Sequence, residues 1–134
     1  MKEKSVKEPT NVGKESEKSK QLVLVYGSLK KGYYNSYLLE GSLQIGVHIT
    51  EPEYTMYDLG AYPAITNTGG TAIHGELYEV DDGVFKRLDT LEGYPSFYNR
   101  KEIDTPYGKA WVYFIEDTSR FNEDSIVDSG VWEQ

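Results

Sequence analysis

Beyond residue 20 the apolar positions gather into short runs: Leu22 to Tyr26, Leu43 to Ile49, Tyr54 to Leu59, Ile73 to Val80, Tyr98 to Ile103 and Ala110 to Ile115. They are rich in Val, Ile, Tyr and Trp, which suit a pleated, half-buried surface, so each run predicts a strand. Turn signals separate them, among them Asn67-Thr68-Gly69-Gly70 and Thr105-Pro106-Tyr107-Gly108. The second predicts a hairpin between NRKEID and KAWVYF, because Pro106 and Gly108 suit such a turn. Two stretches switch to helical period. One runs from about Tyr34 to Glu40, with Asn35 near its cap. The other runs from Asp82 to Gly93, where Val84, Phe85, Leu88 and Leu91 make one apolar face. Asp81 or Asp82 is placed to accept from its first-turn amides, Gly93 to end it in a left-handed conformation, and Pro95 to prevent its continuation. Helical patterns are too few for alternating βα units. The expected fold is α+β, a compact mixed β-barrel-like sheet with a few short helices.

The first twenty residues, MKEKSVKEPTNVGKESEKSK, break the pattern. They hold no aromatic residue, only Val6 and Val12 as aliphatics, and six lysines against four glutamates. Such a segment buries too little apolar surface to offset the entropy of ordering, so residues 1–20 are expected to form a disordered tail and residues 21–134 one domain. The tail has neither the apolar core of a signal peptide nor the low acidity of a transit peptide.

Charge and composition then narrow the function. The body carries eight cations against eighteen anions, which argues against general nucleic-acid binding. No apolar run approaches the length of a membrane span. There is no cysteine, which excludes disulfides, thiolate metal sites and thiol nucleophiles and fits the expected cytoplasmic location. His48 and His74 are the only imidazoles and lie far apart in sequence, so no metal or other cofactor is expected. All twelve tyrosines fall in the body, where they suit a β-rich core with polar edges or a pocket lined with hydroxyls.

Two motifs carry candidate chemistry. VYGSLKKG, from Val25 to Gly32, follows the first strand. Gly27 and Gly32 have the spacing of a phosphate loop, but Tyr33-Tyr34 stand where its lysine and hydroxyl would be. No dinucleotide fingerprint appears at this turn. Ser28 lacks the nucleophile-elbow context, and nothing places a histidine beside it. What remains is the backbone: a strand ending in Gly-Ser presents successive amide donors that suit a carboxylate or developing oxyanion. The second motif is LDTLEGYPSFYNR, from Leu88 to Arg100. Glu92 falls in the last helical turn, where the helix dipole and apolar neighbours would raise its pKa toward that of a general acid/base. On these residues alone a solvated helix-end glutamate stands beside that reading. Lys30, Lys31, Arg100 and Lys101 flank the two motifs, either drawing an anion to a shared site or simply decorating two loops.

VYGSLKKG, LGAYPAITNTGGTAIHGELYEVDD, LDTLEGYPSFYNR, TPYGKAWVY and SGVW, in this order, resemble the gamma-glutamylcyclotransferase-like family, in its small single-domain branch. The likeness runs from about Leu22 to Trp132. At the C-terminus Val131 stands where the family commonly places an acidic residue. The resemblance implies a compact barrel of mixed strands in which the Tyr-Gly-Ser-Leu turn faces a glutamate across a cavity. It implies cleavage of a γ-glutamyl amide by the substrate's own α-amine, releasing 5-oxoproline and a free amine or amino acid. By motif, Glu92 would move the protons, Tyr26, Gly27, Ser28 and Leu29 would hold substrate oxygens through their amides, and Tyr98 would complete the pocket. The implied partner is a small γ-glutamyl compound. The alternative is a noncatalytic protein that uses the same pocket for a small anionic metabolite or signalling nucleotide.

Overall fold

The computed structural model describes residues 20–134; the tail expected over residues 1–20 lies outside them but for Lys20. The described residues form seven strands: β1 Gln21–Val25, β2 Leu43–Ile49, β3 Tyr54–Asp58, β4 Pro63–Thr71, β5 His74–Val80, β6 Asn99–Thr105 and β7 Gly108–Phe114. Helix α1 spans Asp82–Glu92, and short 3-10 turns cover Ser36–Leu39 and Glu123–Ser125. The larger sheet has the order β2-β5-β1-β7-β6, and β3 and β4 form a second, two-stranded sheet. Pairings are antiparallel except β1 with β7.

Strand period explains how one sheet serves two cores. Along β1, Val23 and Val25 join one buried cluster while Leu24 joins the other. Tyr78 and Val80 of β5 and Tyr113 of β7 share the first face with Val84 and Leu88 of α1. Leu77, Ala110, Val112 and Phe114 share the second with Tyr54 and Met56 of β3 and Ile65 of β4. The molecule is thus layered as helix, five-stranded sheet and hairpin. The mixed, strand-dominated fold matches expectation, with closure made at corners: the Ile115 amide donates to Ile65 O at 2.9 Å, and the Ile73 amide to Thr50 Oγ1 at 2.9 Å. A C-terminal strap covers β3, its Val127 amide donating to Met56 O at 2.8 Å and its Trp132 indole to Asp58 at 3.0 Å.

Two expectations need correction. Strand β4 was not anticipated. Its register jumps from Tyr54 opposite Thr71 to Thr55 opposite Thr66, so Asn67 to Gly70 loop out of a continuing strand instead of closing a turn between elements. The hydroxyls of Thr55 and Thr66 both donate to Thr68 O and hold the loop. The helix expected from Tyr34 to Glu40 is a single 3-10 turn; Asn35 stands at its N-cap position, as expected, but its side-chain amide donates to Ser28 Oγ and makes no capping bond.

Candidate active site

The site begins where β1 ends. After Val25 the chain turns at Gly27, whose carbonyl accepts the Lys30 amide at 3.0 Å. A side chain at position 27 is excluded, because a Cβ there would lie 2.5 Å from Pro63 Cδ. Asn35 pins the loop twice, its backbone amide donating to Ser28 O and its side chain to Ser28 Oγ, each at 2.9 Å. Among the described residues, the amides of Gly27, Ser28 and Leu29 donate to no protein acceptor, although all three residues are buried. A buried N–H without a partner is costly, so three in sequence are chemically suited to an anionic oxygen.

Glu92 is delivered by the end of α1. Asp81 caps the first turn, its carboxylate accepting the Val84 amide at 2.9 Å. The last turn closes in a Schellman arrangement: Gly93 sits at φ 68°, its amide donates to Thr90 O, and the Tyr94 amide donates to Asp89 O. Glu92 is therefore the final helical residue, with its side chain on the pocket wall. Burial pushes its carboxyl from 4.5 up to about 7. The residue as a whole keeps partial exposure, but the apolar walls around the carboxylate desolvate it, and that governs its ionisation. Desolvation by burial is the cause of the rise.

The turn and the glutamate do meet. An inner pocket of about 30 Å³ is lined by Tyr26, Gly27, Ser28 and Leu29 together with Glu92 and Tyr98, the six residues singled out in the sequence. It opens into an outer cleft of about 350 Å³, which shares Ser28, Tyr62, Glu92 and Tyr98 with it. Tyr26 donates to Tyr113 O at 2.8 Å and Tyr98 to Pro63 O at 2.6 Å, so both phenols are held by backbone acceptors. Burial, with Glu92 adding its negative charge, raises both phenols above their ordinary value. They stay protonated and act as fixed walls.

A further contact set stands behind the pocket. Asp89, one turn before Glu92, accepts the Tyr113 hydroxyl at 2.7 Å and Arg100 Nε at 2.9 Å. The Arg100 guanidinium lies 4.1 to 4.6 Å from the ring centres of Tyr94, Trp111 and Phe85. None of the four flanking cations lines either pocket: Arg100 is paired with Asp89, Lys30 Nζ donates to Trp132 O, Lys101 lies over Tyr54, and the backbone amide of the exposed Lys31 donates to Glu76. Sequence reasoning also missed Tyr62, Pro63, Tyr113 and the Asp89–Arg100 pair. Tyr62, Pro63 and Tyr113 reach the site through contacts distant in sequence, whereas Asp89 and Arg100 both lie within the second motif, whose spacing alone does not show that they pair.

Residues 23–134 match the family described as Gamma-glutamyl cyclotransferase, AIG2-like. A Vibrio cholerae protein, named a gamma-glutamylcyclotransferase on a provisional basis, is 45% identical over 111 residues, spanning 83% of this chain and 94% of that one. The solution structure of ytfP from Escherichia coli superposes with a TM-score of 0.66 at 33% identity, covering 84% of this chain and 96% of that one. The crystal structure of an uncharacterized Pyrococcus horikoshii protein gives a TM-score of 0.71 at 27% identity, covering 83% and 88%.

Proposed function

The chain belongs to the gamma-glutamyl cyclotransferase, AIG2-like family, and from that premise we propose that it cleaves a γ-glutamyl amide by internal cyclisation. The substrate's α-amine attacks its own γ-carbonyl carbon, the amide C–N bond breaks, and the products are 5-oxoproline and a free amine. No protein nucleophile is required, so the missing cysteine and distant histidines are no obstacle. What the protein must supply is a folded substrate conformation, one proton acceptor that later becomes a donor, and stabilisation of one oxyanion.

The observation that carries this reading is Glu92, with its carboxyl raised to about 7, lining the same pocket as three unpartnered amides. Near neutral pH such a group exchanges protons readily in both directions. Glu92 takes a proton from the α-ammonium and returns one to the departing nitrogen. The amides of Gly27, Ser28 and Leu29 receive substrate oxygen, and Tyr26 and Tyr98 shape the walls. The Ser28 hydroxyl already accepts from Asn35, which suits a turn whose contribution comes through its backbone.

The test is incubation with a panel of γ-glutamyl compounds and mass spectrometry for 5-oxoproline. Wild type releases it, with kcat/KM rising through pH ~7 as Glu92 ionises. Glu92→Gln loses about 10²- to 10⁴-fold, the range for a positioned acid/base, and Ser28→Ala keeps most of the activity. A folded protein that converts no member of the panel yet binds an anionic metabolite tightly would instead be a binding protein.

A further inference from the structure

The outer cleft is more than an entrance. Its volume of about 350 Å³ falls within the size range of ligand pockets, roughly 300–1,000 Å³. Four large, substantially exposed side chains line it: Tyr34 (53%), Phe97 (49%), Leu91 (43%) and Tyr62 (37%). They come from separate segments: the loop after β1, the loop after α1, the end of α1 and the approach to β4. An exposed apolar grouping of this kind, drawn from distant segments, marks a binding surface.

The rings are held in place before any ligand arrives. Phe97 meets Tyr62 edge-on at 6.3 Å and 88°, and Tyr98 at 5.1 Å and 84°. The Tyr34 hydroxyl donates to Ala61 O at 3.1 Å, tying the loop after β1 to the segment that carries Tyr62. Charge is just as selective. Among the described residues Glu92 is the one charged side chain lining the cleft, and none of them sets a cation against it. A carboxylate entering there would find no partner and would meet the charge of Glu92. A flat apolar group would find ring faces and edges.

Resting on the cyclotransferase reading above, we propose that this cleft is the leaving-group subsite and that it selects γ-glutamyl amides of arylalkyl amines lacking a carboxylate. The γ-carbonyl sits where the two pockets share Glu92 and Ser28, and the amide nitrogen faces outward. Cleavage then passes the amine, carrying a proton from Glu92, toward the aromatic rings, with 5-oxoproline held between the Tyr26–Leu29 turn and Glu92, across both pockets, because the inner one, at about 30 Å³, is too small to enclose it. The sum is one amide giving one lactam and one amine, without water.

Three conjugates test this on the full chain: γ-glutamyl-phenethylamide, γ-glutamyl-butylamide and γ-glutamylglycine. The expected result is a kcat/KM for the phenethylamide about tenfold or more above that of the glycine conjugate, the scale of a well-filled apolar pocket. Phe97→Ala and Tyr34→Ala, on separate loops, should each lower the phenethylamide-to-butylamide ratio by about tenfold. Equal or better turnover of the glycine conjugate, or a ratio unchanged in both variants, overturns the proposal. Calorimetric binding of the intact conjugates separates the two failures. If nothing is converted, the cyclotransferase reading falls. The subsite then survives only if the phenethylamide still binds about tenfold tighter than γ-glutamylglycine.

Discussion

At the scale of single residues, Glu92 sets function against stability. Its carboxyl titrates near 7 in the folded protein and at 4.5 ordinarily, because burial penalises the charged form. Between those values the folded state holds a proton that the unfolded chain has released. Folding stability therefore falls as pH rises through 4.5, and the loss is complete above about 7. Gln is neutral at every pH, so Glu92→Gln should be more stable than wild type at pH 8, by about 1–3 kcal/mol after allowance for water at the open side of the cleft. At pH 4 the two should be nearly equal. Thermal melts at both pH values check this, and equal melting temperatures at pH 8 would show that the carboxylate is well solvated. The same contrast decides what Glu92 is. A solvated helix-end glutamate gives no pH-dependent gain on neutralisation, whereas a desolvated acid/base does.

At the scale of elements, the end of α1 places that carboxylate. Gly93 adopts φ 68°, and a Cβ there would lie 3.1 Å from the Cβ of Phe97. Gly93→Ala should cost about 1–2 kcal/mol for the left-handed conformation alone, read by urea unfolding. It should also lower kcat, because relief of the contact shifts Glu92 and Phe97 together; an unchanged unfolding midpoint would count against this account. This element was legible in the sequence because cap, apolar face and stop are local signals, and Asp81, Val84, Leu88 and Gly93 fall where they predict. The β6–β7 hairpin was legible for the same reason, closing at Thr105 opposite Gly108. Strand β4 was not. It opens on Pro63, which propensity disfavours in strands, and contains a Gly-Gly pair. Its place is fixed by pairing with β3 and by burial of Ala64 and Ile65, both tertiary facts. Tyr62 and Pro63 were lost from the expected site along with it. That Tyr26, Gly27, Ser28, Leu29, Glu92 and Tyr98 share one pocket was expected from two motifs and the resemblance they carry. The free amides were legible only as a possibility, since whether a carbonyl elsewhere takes them depends on the fold.

At the scale of the molecule, β1 is the hinge of the design. It lies at the centre of the five-stranded sheet, contributes to both buried clusters, and runs directly into the turn that lines the inner pocket. Both clusters are built from side chains between Val23 and Trp132. The C-terminal strap seals the layer opposite α1, where the His74 amide donates to Gly130 O and Trp132 joins the second cluster. Those clusters are drawn from the described residues, and by its sequence the lysine-rich first segment, with two valines, offers little to bury against them. A chain beginning at Lys20 should therefore melt within about 2 °C of the full chain, since surface changes away from a core cost about 0.5 kcal/mol or less. Its release of 5-oxoproline should be unchanged, because every residue assigned to the pocket lies beyond position 25 or lines it from β1. Paired melts and product assays on the two chains check this. A drop of several degrees would make residues 1–19 part of the folded unit. An unchanged melt with altered turnover would place them at the mouth of the cleft.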